Sequence, residues 1–490
     1  MSVRVRYAPS PTGLQHIGGV RTALFNYFFA RSRGGTFILR VEDTDRERYD
    51  ERALQDIYDT FAWLGISWDE GPGVDGPHAP YFQSQRLELY QQYASQLIEQ
   101  GAAYYAYDTP EELAAMREEQ GEKGSGYDRR GRNCTAEQIA DYQARGVVPV
   151  IRFKGPLEGE TSFEDMILGR VKKKNKDITP DPVLLKSDGF PTYHLANVVD
   201  DHHMQITHIL RAQEWIPSAP LHLQLYRAFG WEPPVFCHLP MVMGKDGQKL
   251  SKRHGSTSLI EFRNQGYLPE ALINYVSLLG WAYDDKREFF TVTELEQLFD
   301  PSRINKAPAV FDYKKLEWFN GNYIRQKSDE ALEALVTPIL QAAGVVSTPI
   351  TDGEAAILRG ACPLVRERMK YLTEAADIVR FLFTDDLPYQ VEDLIPKNHS
   401  AAQTVELLEL ARELVTGFTS RSDEENEERF RVAAEERDLK LGTLLMPLRM
   451  AVTASRVSPP LFGSMRLLGE ARVLNRIDTV LQLLRTEGGK

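Results

Sequence analysis

The sequence predicts an α/β domain built on a parallel sheet, interrupted by an α+β insertion and followed by an all-helical C-terminal half. Three observations carry that prediction. Short apolar runs alternate with helix-patterned segments over the first hundred residues, the order expected of βαβ units. From Gly101 to about Gly189, glycine, proline and charge become frequent and helical stretches short. Beyond about Leu268 the 3.6-residue apolar period takes over almost completely.

Val3 to Tyr7 alternates as a strand does, and Pro9-Ser10-Pro11-Thr12-Gly13 breaks it. Gly19 to Arg33 reads as a helix, with Val20, Ala23, Leu24, Tyr27 and Phe28 on one face and Gly34-Gly35 ending it. Thr36 to Val41 is a second strand. Glu51 to Leu64 and Ser84 to Gln100 are further helices. Val183 to Lys186 and Phe190 to His194 read as strands flanking a hairpin turn at Ser187-Asp188-Gly189. Gln205 to Leu210 is a strand, Trp215 to Phe229 a helix, and Val235 to Met243 a buried strand that runs into the loop Gly244-Lys245-Asp246-Gly247. The helical half includes Pro269 to Leu279, Ser328 to Ala343, Val365 to Phe383, Gln403 to Phe418 and Glu427 to Glu436. Ser328 stands at an N-cap position. The acidic run Asp423 to Glu428 is a solvated helix start.

A chain of 490 residues is too long for one core and divides into several domains. No apolar run reaches the roughly 20 residues of a membrane span, and the N-terminus has no apolar signal core. These features point to a cytoplasmic protein without membrane contact. The three cysteines, Cys134, Cys237 and Cys362, lie far apart. That argues against a disulfide framework and a four-ligand zinc site. The net charge of −12 opposes nucleic-acid binding by the chain as a whole. Basic clusters at Arg129 to Arg132, Arg170 to Lys176 and Lys245 to Arg253 allow it locally.

Pro9 to Gly19, with His16 and Gly18-Gly19, lies between the first strand and first helix, where phosphates bind in open parallel sheets. His16 can donate a hydrogen bond to a phosphoryl oxygen as charge builds. Lys249-Leu250-Ser251-Lys252-Arg253 follows the glycine loop. A lysine on a flexible loop can follow negative charge onto a departing pyrophosphate.

The two segments together resemble the HIGH and KMSKS signatures of class I aminoacyl-tRNA synthetases, with Gly19 in place of the second histidine as in the glutamyl and related members. Arg6 to Gly19, Arg40 to Asp45, Tyr193 to His202 and Leu210 to Trp215 match the glutamyl branch closely. The resemblance implies activation of glutamate with ATP and its transfer to tRNA(Glu), with tRNA needed for the activation step. It implies catalytic roles for His16 and Lys252. ATP contacts would come from Pro9, Ser10, Gly13, His16, Gly18, Gly19, Glu214, Trp215, Leu239, Lys249, Ser251, Lys252 and Arg253. Glutamate contacts would come from Arg6, Ala8, Ser10, Glu42, Tyr193, Asn197 and Arg211, with Arg211 on the side-chain carboxylate, which suits its planar fork. ATP would enter with Mg²⁺. Protein-bound zinc is not expected, since Tyr105 and Tyr107 stand roughly where some relatives carry cysteines.

The same resemblance implies a Rossmann-like catalytic domain at 1–100 and 188–246 and an acceptor-end-binding insertion at 101–187. A helical connecting domain would follow at 247–327, then anticodon-binding helical domains at 328–386 and 387–490, in a monomer. Arg129 to Arg132 and Arg170 to Lys176 would touch the tRNA backbone. Arg366 or Arg368 would read the third anticodon base, with Arg368 preferred. A glutaminyl enzyme would carry a β-barrel C-terminal half. A tRNA-modifying relative or a small nucleotidylyltransferase would lack the helical half.

Overall fold

The computed structural model describes residues 2–121 and 126–487, without the side chains of Lys252 and Glu487. It divides into two compact units. One runs to Asn264 and includes Pro269–Tyr313; the other comprises Gln265–Leu268 and Lys314 onward.

In the first unit, β1 (Arg4–Tyr7) and β2 (Thr36–Leu39) pair in parallel, in register from Arg4↔Thr36 to Tyr7↔Leu39. Between them runs α1 (Ile17–Ser32), buried over most of its surface because sheet and helices cover it together. The strands His208–Ala212 and Val235–Leu239 form a second parallel pair. Thr207 N–H donates to Arg4 O at 2.9 Å, and Asn26 Nδ2 donates to Leu210 O at 3.1 Å. These bonds set the start of His208–Ala212 beside β1 and fasten it to α1. α2 (Glu51–Leu64) ends at Gly65, whose φ of +67° is the left-handed conformation glycine accepts without a side-chain clash.

The insertion contains a three-stranded antiparallel sheet, ordered Ala103–Ala106, Val150–Phe153, Val183–Leu185. It also contains a hairpin, Glu160–Asp165 with Gly169–Lys174. Asp165 pairs in parallel with Phe236, so the hairpin extends the catalytic sheet at the edge of Val235–Leu239.

Several expected elements change at identifiable residues. Phe190 to His194 is not a strand: after a single Leu185↔Pro191 bridge the chain enters the helix Tyr193–His203 at Thr192. Tyr193 and Asn197 therefore stand four apart on one helix face. The helix expected from Trp215 starts as the 3₁₀ turn Gln213–Ser218, which contains Pro217, and becomes α-helical at Ala219–Phe229. The strand expected over Val235 to Met243 breaks at Pro240, which has no N–H for the ladder, into Val235–Leu239 and Val242–Met243.

The second unit is helical. The Ser328 hydroxyl caps Asp329–Ala342 by accepting from Ala331 N at 3.2 Å. Ser422 caps Asp423–Glu435 in a capping box with Glu425, so the acidic run is a helix start. Val365 to Phe383 is not one helix. Asp352–Val365 ends there, and Ala375–Phe383 begins after an intervening turn. Fully buried Asn320 accepts from Leu268 N at 2.8 Å and donates to Lys370 O at 2.6 Å, joining that turn to the residue 265–268 segment. Cys134, Cys237 and Cys362 are all free. Among the described residues no helix is long and apolar enough to cross a membrane.

Candidate active site

The C-terminal ends of β1 and His208–Ala212 open into a cavity of about 600 Å³, within the range of small-molecule sites. One wall is the segment from Gly13 to Thr22 with Arg6, Tyr7 and Ala8. A second carries Glu42, Tyr193, Asn197, Arg211, Glu214 and Trp215. A third runs through Pro240–Val242, Lys249–Ser251 and Thr257–Ser258.

The first signature segment is joined directly to the residues that follow the second. His16 and Ser258 form an antiparallel bridge; Ile17 N–H donates to Thr257 O at 3.0 Å and Leu259 N–H to Gln15 O at 3.2 Å. The lysine loop is a hairpin: Met243 bridges Lys249, and Leu250 N–H donates to Val242 O at 3.0 Å. Lys249 Nζ is ion-paired with Glu214 across the cavity mouth. Lys252 opens the 3₁₀ turn Lys252–His254, and its side chain lies outside the described residues.

His16 is the N-cap of α1. Its Nδ1 accepts from Gly18 N at 3.1 Å and Gly19 N at 3.3 Å. These two amides, expected to cradle a phosphate, are therefore occupied by the ring. The capping fixes the neutral tautomer with the proton on Nε2, which is left free to donate. Burial and the Lys249 ammonium both push the imidazole pKa down, against Glu214, so the neutral form is favoured. Gly19 leaves no room for a side chain: a Cβ there would meet Tyr7 Oη at 2.9 Å, and that hydroxyl donates to Gln15 Oε1 at 2.6 Å. The phenol thus occupies space beside the position where other class members carry their second histidine.

Arg6 donates through Nε and Nη2 to Asp201, at 2.9 and 3.1 Å, and Arg40 binds the same carboxylate at 2.7 Å. Burial alone would raise the Asp201 pKa, but Arg6 and Arg40 outweigh it and hold it below the usual carboxylate range. Glu42 Oε1 accepts from Arg40 Nη2 at 3.1 Å and Asn197 Nδ2 at 3.5 Å. Burial raises its carboxyl despite Arg40 and Arg6. Ser10 Oγ donates to Glu42 O at 2.7 Å, and Glu42 N–H donates to Pro9 O at 3.0 Å. Pro9 and Ser10 therefore hold the Glu42 main chain and do not line the cavity. Leu239 is fully buried in its strand, and Pro240, Met241 and Val242 line the cavity in its place. Arg253 turns to Asp246 at 3.4 Å, away from the lining.

Arg211 is 5 % exposed and meets no carboxylate within ion-pair distance among the described residues. Its Nε donates to His238 Nε2 at 3.1 Å and its Nη1 to Tyr193 Oη at 3.2 Å, with His222 Nδ1 at 3.4 Å. Its Nη2 and the Asn197 Oδ1 are buried without a partner. Buried polar atoms are nearly always satisfied, so two orphans on one cavity wall mark a ligand position. The Tyr193 ring lies 4.5 Å from that of half-exposed Trp215.

Arg21, Met241, Thr257, Ser258 and Glu261 line the cavity but escape sequence reasoning, since none belongs to a motif, and Tyr7 and Gln15 line it from within the matched Arg6 to Gly19 segment without having been singled out. Among the expected tRNA contacts, Arg129, Arg130 and Arg132 are engaged within the chain. Arg132 and Arg129 pair with Asp181, and Arg130 pairs with Asp128. Among the described residues no three His, Cys, Asp or Glu side chains converge as metal ligands.

Residues 2–318 match the family described as class I tRNA synthetases (E and Q), catalytic domain, and residues 329–481 match an anticodon binding domain. The glutamate–tRNA ligase of Borreliella burgdorferi is 55% identical over 487 residues, covering 99% of each chain. That of Treponema denticola is 52% identical over 502 residues, covering 98% of this chain and 99% of the relative. A glutamate–tRNA ligase of Elizabethkingia meningosepticum, solved in complex with its amino acid, is similar in structure. It has a TM-score of 0.87 and 35% identity over 99% of this chain and 100% of that one.

Proposed function

This chain belongs to the class I tRNA synthetases, within the glutamate–tRNA ligases, and from that premise we propose how its residues divide the work. The activity itself is ATP-dependent activation of glutamate and its transfer to tRNA(Glu). Glutamate lies between Arg211, whose orphaned Nη2 takes the side-chain carboxylate, and Glu42, whose carboxylate faces the ammonium. Tyr193 and Asn197 close the pocket from the Tyr193–His203 helix. Arg6 lines the adjoining wall with two nitrogens held by Asp201.

ATP, carried as its Mg²⁺ complex, lies against His16, Gly18, Gly19 and the Lys249–Ser251 segment, with Glu214 and Trp215 beside it. The glutamate α-carboxylate attacks the α-phosphate in line, and pyrophosphate leaves. His16 Nε2–H donates to a phosphoryl oxygen, while Lys252 and Lys249 meet the charge moving onto the leaving group. Lys249 must first give up Glu214. The terminal ribose hydroxyl of tRNA then attacks the activated carbonyl, releasing AMP. The bridge between His16 and Ser258 carries this reading, because it ties the first signature segment to the chain just past the second, and residues of both line one cavity.

The exposed Arg170, Lys172 and Lys174 alternate on the outer face of Gly169–Lys174 and suit a phosphate backbone. In the helical unit Arg366 is ion-paired with Asp329, whereas Arg368 is exposed and makes no ion pair among the described residues. Arg368 is therefore assigned to the anticodon. Offering the purified protein tRNA(Glu) and tRNA(Gln) separately tests this part: only the first is charged by the wild type, and Arg368→Ala weakens that discrimination. Equal charging of both by the wild type contradicts the assignment.

A further inference from the structure

Of the three buried arginines that line the cavity, Arg6 and Arg211 are in opposite electrostatic states. Arg6 is neutralised by direct contact with Asp201. Arg211 is held by neutral groups, and a carboxylate stands one ring further back. The Asp165 carboxylate accepts four hydrogen bonds. Its Oδ1 takes Ile167 N–H and Leu168 N–H, each at 3.0 Å; its Oδ2 takes His238 N–H at 3.1 Å and His238 Nδ1 at 2.7 Å. Asp165 and His238 are both sealed from solvent. With every other Asp165 partner a main-chain donor, the carboxylate is fixed in place and His238 must carry its proton on Nδ1. Its Nε2 lone pair is then obliged to face Arg211 Nε–H. Phe236 stacks parallel to the imidazole at 6.0 Å and holds its plane. His222, equally buried, repeats the arrangement on Arg211 Nη1 and passes its own Nε2 to His194 Nδ1 at 3.1 Å.

We infer that Asp165 and His238 are positioning residues for amino-acid specificity: the carboxylate sets the tautomer of His238, and the imidazole aims the Arg211 guanidinium into the cavity without cancelling its charge. The inference rests on the reading of Arg211 as the partner of the substrate side-chain carboxylate. A carboxylate in direct contact with Arg211 would supply the counter-charge that the substrate must bring, and would repel it. A neutral ring between them keeps the hydrogen bond and removes most of that competition, because Coulomb energy falls with separation. Burial and the Arg211 charge lower the pKa of His222, and burial is the largest effect on His238, lowering its pKa with Arg211 against the opposing pull of Asp165. The cradle is therefore neutral at physiological pH. Glutamine, with no charge to offer, leaves the buried cation uncompensated, and that penalty provides the discrimination. The insertion thus reaches the amino-acid pocket through Asp165, at the tip of its hairpin.

The test is steady-state aminoacylation of tRNA(Glu) by the full chain carrying Asp165→Asn, His238→Phe, His238→Gln or Arg211→Gln. KM for glutamate, KM for ATP and glutamine misuse are measured for each. In Asp165→Asn one amide NH₂ must face donors, and where it faces His238 it forces the wrong tautomer. His238→Phe preserves the stacking on Phe236 and deletes the acceptor. Both raise KM for glutamate by about tenfold or more, the scale of one lost hydrogen bond to a charged group, with KM for ATP little changed. His238→Gln, whose amide oxygen can reach the Nε2 position, recovers most of the loss. An unchanged KM for glutamate in soluble, cooperatively melting His238→Phe overturns the inference. If Asp165→Asn does not fold, the contrast between His238→Phe and His238→Gln decides it. Equal impairment of glutamate and ATP use in both those variants also overturns it. Failure of the underlying reading looks different: Arg211→Gln itself then leaves KM for glutamate unchanged.

Discussion

Ile17 donates its main-chain N–H to the carbonyl of Thr257 at 3.0 Å, across 240 positions of sequence, and so ties the start of α1 to the segment that follows the lysine loop. A second anchor, Leu250 N–H to Val242 O, holds the loop on its other side. The stretch carrying Lys252 spans these two fixed points. A change in its conformation can therefore carry the lysine without moving the cavity wall.

Lys252→Ala is expected to slow glutamyl-adenylate formation by about 10²–10³-fold, the effect of removing one preorganised transition-state donor. Glutamate affinity should change little, because the departing pyrophosphate and not the amino acid is the lysine's partner. Single-turnover adenylation measures the first quantity. Activation at the wild-type rate would remove Lys252 from the role.

The Gly19 position is filled from the side by Tyr7. Gly19→Ala is expected to destabilise the fold by about 1–3 kcal/mol through overpacking, read by urea unfolding. Tyr7→Phe removes the hydroxyl that lies 2.9 Å from the new methyl, and the double variant should recover a large part of the loss. A double variant as impaired as Gly19→Ala alone would show that the phenol is not the obstacle.

Glu42 provides a pH signature. Burial raises its carboxyl, so in the free protein it takes up a proton at a higher pH than an ordinary glutamate does. Only the ionised form attracts the substrate ammonium. KM for glutamate should therefore rise as pH falls toward the carboxylate range, beginning earlier than an unperturbed group would give. In Glu42→Gln the KM should be higher throughout and lack this titration. Parallel profiles for the two proteins would rule out Glu42 as the titrating group.

Beneath the cavity, Asp201 binds both Arg6 and Arg40, and Asp200 binds Arg86 at 2.7 Å. Asp201→Ala leaves buried Arg6 without a carboxylate partner and Arg40 with only Glu42 and the more distant Asp200, and is expected to destabilise the fold by about 3–5 kcal/mol. Because the folded pKa of Asp201 is depressed, its stabilising contribution is complete above the ordinary carboxylate pKa. It is lost only as pH falls through the lower folded value. Urea unfolding at neutral and acidic pH tests both statements: the gap between wild type and variant should narrow in acid. A constant gap would contradict the linkage.

The parallel-sheet half and the helical half are legible in the sequence because their apolar periods differ, and Ser328 is found by its capping chemistry alone. Phe190 to His194 reads as a strand because its residues suit one; Thr192 opens a helix there, a choice made by tertiary packing. The two signature segments can be found because each is local. The Asp165–His238–Arg211 chain cannot, because its members belong to three separate strands and meet only through sheet registry. Gly18 and Gly19 suggest free amides to a reader of sequence, yet the capping bond from His16 is a side-chain rotamer that spacing does not specify.

ATP–pyrophosphate exchange in the presence of tRNA(Glu) tests the convergence of the two segments on one triphosphate most directly, comparing the wild type with His16→Ala and Lys252→Ala. Glutamate should support exchange and glutamine should not, and each variant should lose it by about 10²-fold or more while still binding tRNA. Exchange that survives in both variants at the wild-type rate would mean that the histidine and the lysine do not act on the same phosphate chain.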